Sequence, residues 1–290
     1  MPGVIGSVLL FLTMLAVVST WAAYLVCKYI PREIRVSHRM LMQPALTVSG
    51  MMFAVLLGFF IAQAMRDYTS AQNNIVAEAN AVGEVFRDAK GLRDVDRKRI
   101  RQLCRDYVDS VIKDEWPLLP KGEASAKSQA IMNDLWEASL SVTPTNDREL
   151  VVYDSYFDAM NVLGGLRRVR TSTIAIGMPP HFWAIIAFGA AGIITLTFLF
   201  APDSKRFHIG LLSCLLVPLT LNIYLLTEYL YPFSGIVEVE PVVFEALQRK
   251  IMSQTDEAPK YLQGEENNSS AEFTSKHPKR SHAKPDLLAQ

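Results

Sequence analysis

Four long apolar blocks dominate the pattern of hydrophobic and polar positions along the chain. They cover about residues 4–27, 45–65, 182–201 and 209–231, and charged residues flank each of them. A helix needs about 20 mostly apolar residues to cross the ~30 Å hydrocarbon core of a bilayer. The pattern therefore predicts an all-α membrane protein with four transmembrane helices, paired in two hairpins at residues 1–65 and 181–235.

The first block is interpreted as a true span rather than a cleaved signal peptide. It has no basic segment before it, and it is longer than the apolar region of a typical signal peptide. The residue before Cys27 is Val26, whereas a lipoprotein signal would place a small residue there.

The segment between the two hairpins, residues 66–180, is predicted to be a helical extramembrane domain. Its apolar residues recur at spacings of three and four, and no alternating strand pattern occurs. No proline or glycine interrupts residues 66–82, so the second span is expected to continue out of the membrane as one long helix. The insert is therefore expected to be a bundle inserted between spans two and three.

Three further helices of the insert are predicted at about residues 95–115, 125–140 and 147–170. Residues 236–252 are predicted to form a short helical segment. Residues 253–290 are predicted to be a disordered tail, because they lose apolar periodicity and are rich in Glu, Asn, Ser, Lys and Pro.

Composition and motifs exclude several functional classes. The formal net charge is zero, whereas general nucleic-acid binders carry an overall basic footprint, so no nucleic-acid partner is expected. The three cysteines are too few and too scattered for a disulfide framework or a zinc site. Walker, dinucleotide-binding, HExxH and GxSxG motifs are absent, so we expect no enzyme, no cofactor and no metal site.

Small residues recur at four-residue intervals along the second span, at Gly50, Ala54, Gly58 and Ala62. Small residues let helix backbones approach closely, and this packing drives helix association in lipid. Two interpretations stand. The stripe packs helices within one protomer, or it belongs to an oligomer in which the second span approaches a central axis.

Two other polar features are candidates for function. Glu228 is the ionisable residue inside an apolar block, and intramembrane carboxylates are functional candidates, although Glu228 lies close enough to Pro232 to reach the headgroup region. The stretch from Tyr68 to Glu84 is rich in amides and small residues, which suits close helix contact or a hydrated vestibule as well as a solvated face.

Several sequence strings resemble the bacterial bestrophin-like domain family of membrane proteins. They are Phe53-Ala-Val-Leu-Leu-Gly-Phe-Phe60, Tyr68-Thr-Ser-Ala-Gln-Asn-Asn-Ile-Val-Ala-Glu-Ala-Asn80, Glu115-Trp116-Pro117 and Pro232-Phe233-Ser234-Gly235. The resemblance covers about residues 4–250. It implies a pentameric anion channel whose second span supplies an apolar neck, and Phe59, Phe60 and Ile61 are where that neck would fall. The acidic calcium-binding cluster of bestrophins has no recognisable counterpart.

The side of the membrane on which the insert lies is left open by the charges. Basic residues near the hairpin loops favour an external insert under the positive-inside rule, while basic residues before the third span and in the tail oppose it. The resemblance implies a bacterial inner-membrane protein with the insert and both termini in the cytoplasm, and we follow it.

Two functions from different classes therefore stand. The first is an oligomeric bestrophin-like anion channel or passive pore, a homo-oligomer in the lipid bilayer. The second is a non-conducting membrane scaffold or sensor that binds a protein partner through its helical insert or tail.

Overall fold

The protein was analysed as a computed structural model. It describes residues 28–37, 39–173, 178–199, 205–234 and 237–254, together with eight positions between Thr13 and Val26. The first predicted span and the string position Gly235 lie largely or wholly outside the described residues, as does the predicted tail beyond Gln254.

The described residues are mainly helical and contain no strand. In chain order the helices are α1 (Arg32–Ser37), α2 (Arg39–Asp88), α3 (Asp94–Ser110), α4 (Ala126–Leu140), α5 (Asp147–Thr173), α6 (Pro180–Leu199), α7 (Lys205–Leu230) and α8 (Val242–Met252). A π-helical turn at Val111–Glu115 and a 3₁₀ turn at Trp116–Lys121 follow α3. The all-α prediction is confirmed.

Three of these helices are long and apolar enough to cross a membrane, within the described part of the chain. They are the segment beginning at Met40 in α2, the whole of α6, and α7 from Ile209 onward. They correspond to the second, third and fourth predicted spans. Between the first and second predicted spans, α1 lies within residues 28–44, and α2 begins before Pro44. Pro44 is the sixth residue of α2, so it removes one hydrogen bond within the helix but does not end it.

The fifty-residue helix α2 joins two separate apolar cores. Along its first half, Phe53, Leu57 and Ala64 are buried against α6 and α7. Along its second half, Ile75 and Val82 are buried in the insert, where α3, α4, α5 and α8 pack around them. Because one unbroken helix belongs to both cores, its position in the membrane is tied to the packing of the insert.

Candidate functional site

Exposed side chains recur along one face of α2 from Val48 to Arg87. Its members follow each other at spacings of three, four or seven residues, which places them on one side of a 3.6-residue helix. All of them are exposed: Val48, Val55, Phe59, Arg66, Thr69, Asn73, Asn80, Glu84 and Arg87. We call this set the open face of α2. It is apolar up to Phe59, gains a cation at Arg66, and carries amides and further charges beyond it.

The structure separates the three residues predicted to form a neck. Phe59 lies on the open face, and 68% of its surface is exposed. Phe60 points the other way and makes an edge-to-face contact with Phe182 of α6, with ring centroids 5.3 Å apart. Ile61 packs against the same membrane core. Successive helix residues diverge by about 100°, so the three side chains cannot share one direction.

The stripe of small residues lines an open groove. Gly50, Ala54 and Gly58 form one wall of a groove of about 240 Å³, and α7 supplies Leu215, Pro218, Leu219 and Asn222 on the other side. A Cβ atom added at Gly50 or Gly58 would meet no atom within 4 Å. Ala62 lies beyond the groove, half-buried. The stripe therefore leaves space beside α2 within the protomer.

A different glycine lies in close contact with another membrane helix. A Cβ atom built on Gly189 of α6 would lie 2.4 Å from the ring of Phe53. The ring of Phe53 thus packs directly on the backbone of α6, and a side chain at Gly189 would displace it. This contact fixes how α2 and α6 approach each other.

Glu228 is half-buried near the end of α7. Its Oε2 accepts a hydrogen bond of 3.4 Å from the backbone N–H of Val237, which follows the membrane helix. The neighbouring Tyr229 makes an edge-to-face contact with Tyr68 of α2, with centroids 5.5 Å apart. The carboxylate therefore lies where α7 leaves its apolar segment, beside the point where α2 enters the insert.

A buried charged cluster lies where α2 enters the insert. It contains Glu78, Tyr107, Glu115, Arg167 and Arg170, which we call the charged quintet. Arg170 holds Glu78 with both a 2.6 Å and a 3.0 Å hydrogen bond, and it donates a third, of 2.6 Å, to Glu115. Tyr107 donates a 2.6 Å hydrogen bond to Glu78. Arg167 donates to the Tyr107 oxygen at 3.1 Å and lies 3.1 Å from Glu115.

The charges in the quintet balance. Two carboxylates face two guanidinium groups, and all four side chains are almost fully buried. Buried charges are tolerated only when they are paired and hydrogen-bonded. Although burial opposes the charge of Arg170, its interaction with Glu78 raises the pKa of its guanidinium well above the ordinary value. Burial, followed by the charge of Glu78, raises the pKa of the Tyr107 hydroxyl above its usual range.

The irregular turn after α3 positions two members of the string Glu115-Trp116-Pro117. The π-helical turn ends at Glu115 and directs its carboxylate into the quintet. Trp116 donates a 3.2 Å hydrogen bond to the carbonyl of Val239 and contacts the ring of Phe244. The turn thereby joins α3 both to α5 and to the segment that follows α7. Such π turns occur often at functional sites.

A cleft of about 520 Å³ separates the end of α2 from α8. Its lining mixes apolar side chains of α8 with charged and amide side chains of α2, including Asn80, Glu84 and Arg87. At the far end of α8, Arg105 donates hydrogen bonds to the carbonyls of Ile251 and Gln254. A cation at the C-terminal end of a helix is favourable because it faces the negative end of the helix dipole.

Comparison with known proteins now gives this geometry a context. A family model described as the Bestrophin-like domain matches residues 10–244. The chain belongs to the bestrophin-like family. Two crystal structures share the fold of this bestrophin-like chain. A bestrophin homologue from Klebsiella pneumoniae that carries a point mutation aligns with a TM-score of 0.60 at 14% identity, over 85% of this chain and 99% of that one. A point variant of a structure described as a membrane protein aligns with a TM-score of 0.57 at 14% identity, over 88% and 100%.

No curated protein sequence matches the bestrophin-like chain. The expected family is confirmed, and the bestrophin-like protein is a helical membrane protein. Among the described residues, no group of three or more His, Cys, Asp or Glu side chains could hold a metal ion.

Sequence reasoning missed the quintet, although a signal was available. Arg167 and Arg170 continue the spacing of the buried residues Met160 and Leu163, so they lie on the covered face of α5. A charged residue in an inward-facing register predicts a buried partner. Their partners Glu78 and Glu115 lie within the sequence strings that resemble the family, but the sequence does not indicate which cation pairs with each carboxylate.

Proposed function

We propose that the chain forms a homo-oligomeric ring in the bacterial inner membrane and conducts ions passively through a central pore, as a bestrophin-like anion channel. In this proposal all four predicted spans cross the bilayer, and the open face of α2 points toward the ring axis. Residues 66–180 then form an extramembrane insert, which we place with both termini in the cytoplasm.

The open face of α2 is the observation that carries this proposal. A helix face that only contacted lipid would be apolar along its membrane segment and would have no reason to continue in the same register outside it. Here the same face passes from Val55 and Phe59 to Arg66 and then to Asn73 and Asn80. This order matches a path that leaves an apolar constriction and enters a hydrated vestibule.

A ring is needed because one protomer cannot enclose a path for ions. The opposite face of α2 is already buried against α6 and α7 in an apolar core. Several copies arranged around an axis would cover the open faces with one another. Phe59 would then supply an apolar constriction, and such constrictions gate by excluding water.

The charged quintet supports the same arrangement by holding α2 in place. Glu78 belongs to α2, while Arg167 and Arg170 belong to α5 and Glu115 to the turn after α3. The second half of α2 is therefore held against the rest of the insert by hydrogen bonds and ion pairs. A pore-lining helix needs such an anchorage, because a change in its rotation would move the open face away from the axis.

A second candidate function is a non-conducting scaffold or sensor that binds a protein partner. The cleft between α2 and α8 favours it, since about 520 Å³ of mixed polar and apolar space lies open at the surface of the insert. On this alternative, the quintet would stabilise a binding domain, and the open face would only pack against other membrane helices.

An ion-flux assay on purified protein in lipid vesicles distinguishes the two functions. We expect wild-type vesicles to conduct chloride, and we expect Phe59→Ala to raise the conductance several-fold because it widens the neck. Phe188→Ala is the matched control. It removes a ring that is 80% exposed, compared with 68% for Phe59, from α6, and it should leave conductance unchanged.

Phe60→Ala and Ile61→Ala test the other two predicted neck residues. Both side chains pack inward, so we expect losses of stability rather than a wider pore. If Phe59→Ala behaved like Phe188→Ala, Phe59 would not form the neck. If wild-type vesicles conducted no ions, the scaffold would become the better account.

A further inference from the structure

Arg66 is the first charged residue of α2 after the apolar neck. No Asp, Glu, Lys or Arg occurs between Met40 and Met65. Arg66 lies seven residues after Phe59 on the same face, which is about 10 Å further along the helix axis. Its side chain is exposed. An ion that leaves the neck toward the insert would therefore meet this guanidinium group first.

The surroundings of Arg66 leave its positive charge available. Among the described residues its hydrogen-bond partner is the neutral amide of Gln63, whose Oε1 accepts a 2.6 Å bond from the guanidinium. The nearest carboxylate along the helix, Asp67, accepts a 2.8 Å bond from the other end of the same amide. Asp67 is also exposed, but it lines a cleft with Phe60 and Phe182, away from the open face. Gln63 thus separates the two charges, and only Arg66 lies on the open face.

The next charged residue on the open face is far away. Glu84 follows Arg66 by eighteen residues, or about 27 Å of helix, and it is paired with Arg87 at 4.0 Å. Charges are screened over about 8 Å at physiological ionic strength. The electrostatic potential at the insert-facing mouth of the neck would therefore be set by Arg66 rather than by Glu84.

We infer that Arg66, repeated once per subunit around the axis, selects anions over cations at the insert-facing mouth of the neck. This inference rests on the proposed pore and adds the residue that determines its specificity. Rings of like charge in a narrow, low-dielectric passage focus the electric field and raise the local concentration of the opposite ion. Arginine suits this role because its charge persists at every physiological pH.

Charge reversal tests the inference through the reversal potential measured across a salt gradient. We expect Arg66→Glu to lower the ratio of chloride to sodium permeability by about tenfold, since reversing a potential of a few kT changes both ion concentrations in opposite directions. Arg66→Gln should give an intermediate ratio. Arg99→Glu, the same change at an exposed site on α3, should leave the ratio unchanged. The effect of Arg66→Glu should fade toward 1 M salt, where the screening length is about 3 Å.

A second experiment introduces the charge after folding and assembly. Arg66→Cys is made in a background that carries Cys27→Ala and Cys214→Ala. Cys104 stays, because it is fully buried in the insert. A methanethiosulfonate reagent that carries a trimethylammonium group should then raise the permeability ratio, and the sulfonate reagent should lower it.

Opposite shifts with the two reagents support the inference. Equal shifts, or no shift, in vesicles that conduct would overturn the role of Arg66 and leave the pore standing. An absence of ion flux in wild-type vesicles would overturn the pore, and the selectivity role with it.

Discussion

Replacement of Arg170 by methionine tests whether the charged quintet holds the insert together. The substitution keeps a long unbranched side chain but removes three hydrogen bonds, of 2.6, 2.6 and 3.0 Å, to Glu78 and Glu115. Only Arg167 would then remain to balance two fully buried carboxylates. Breaking a buried ion pair by removing one partner costs about 3–5 kcal/mol, and we expect Arg170→Met to lower the free energy of unfolding by that amount.

The double variant Arg170→Met with Glu78→Gln separates charge imbalance from lost packing. It leaves one carboxylate and one guanidinium, Glu115 and Arg167, which lie 3.1 Å apart. The double variant should therefore be more stable than the sum of the two single effects predicts, by about 0.5–3 kcal/mol. Arg99→Met, at an exposed site on α3, is the control and should change stability by less than about 0.5 kcal/mol.

Denaturant titration of the detergent-solubilised protein measures these effects. The fluorescence of Trp116 and Trp136 reports on the insert, because both side chains pack against its core. A loss below about 1 kcal/mol for Arg170→Met would refute the reasoning. So would a double variant whose loss equals the sum of the single losses.

Three further predictions concern packing and reactivity. Gly189→Ala should lower the free energy of unfolding by about 1–3 kcal/mol in the same titration, because its Cβ would collide with the ring of Phe53. Adding Phe53→Leu should recover part of this loss. An unchanged denaturation midpoint for Gly189→Ala would contradict the contact. Burial raises the pKa of the Cys104 thiol to about 12. Labelling of this thiol at pH 8 should therefore be slow in the folded protein and fast after denaturation. Equal labelling rates would contradict its burial. Trp116→Phe should cost about 1 kcal/mol by removing the donor to Val239, and faster amide hydrogen exchange around that residue would show it.

Local pattern was enough to predict most of the helices. Apolar spacing predicted α4 and α5 to within a few residues, and the helix predicted at about residues 95–115 corresponds to α3 and the π-helical turn that follows it. These features depend on neighbours in sequence, such as helix periodicity and the restriction that proline places on the preceding residue. The apolar block at about residues 45–65 indicated the membrane part of α2 but not the turn before it, because α2 already begins at Arg39.

The candidate site depended on contacts that sequence does not show. Phe59, Phe60 and Ile61 are all apolar, so their pattern could not indicate which side chain is exposed. Phe60 is turned away from the open face because it packs against Phe182, which lies in another helix. The quintet joins Glu78 to Arg170, 92 residues apart. The sequence does not show that its members meet, because they belong to separate elements of the insert.

The subunit number of the purified protein in mild detergent tests the central claim most directly, and native mass spectrometry measures it. The account predicts a closed ring, of five copies above all, in which the open faces of α2 surround one axis. A monomer or a dimer would contradict it, because neither could enclose an axial pore with Phe59 at its neck.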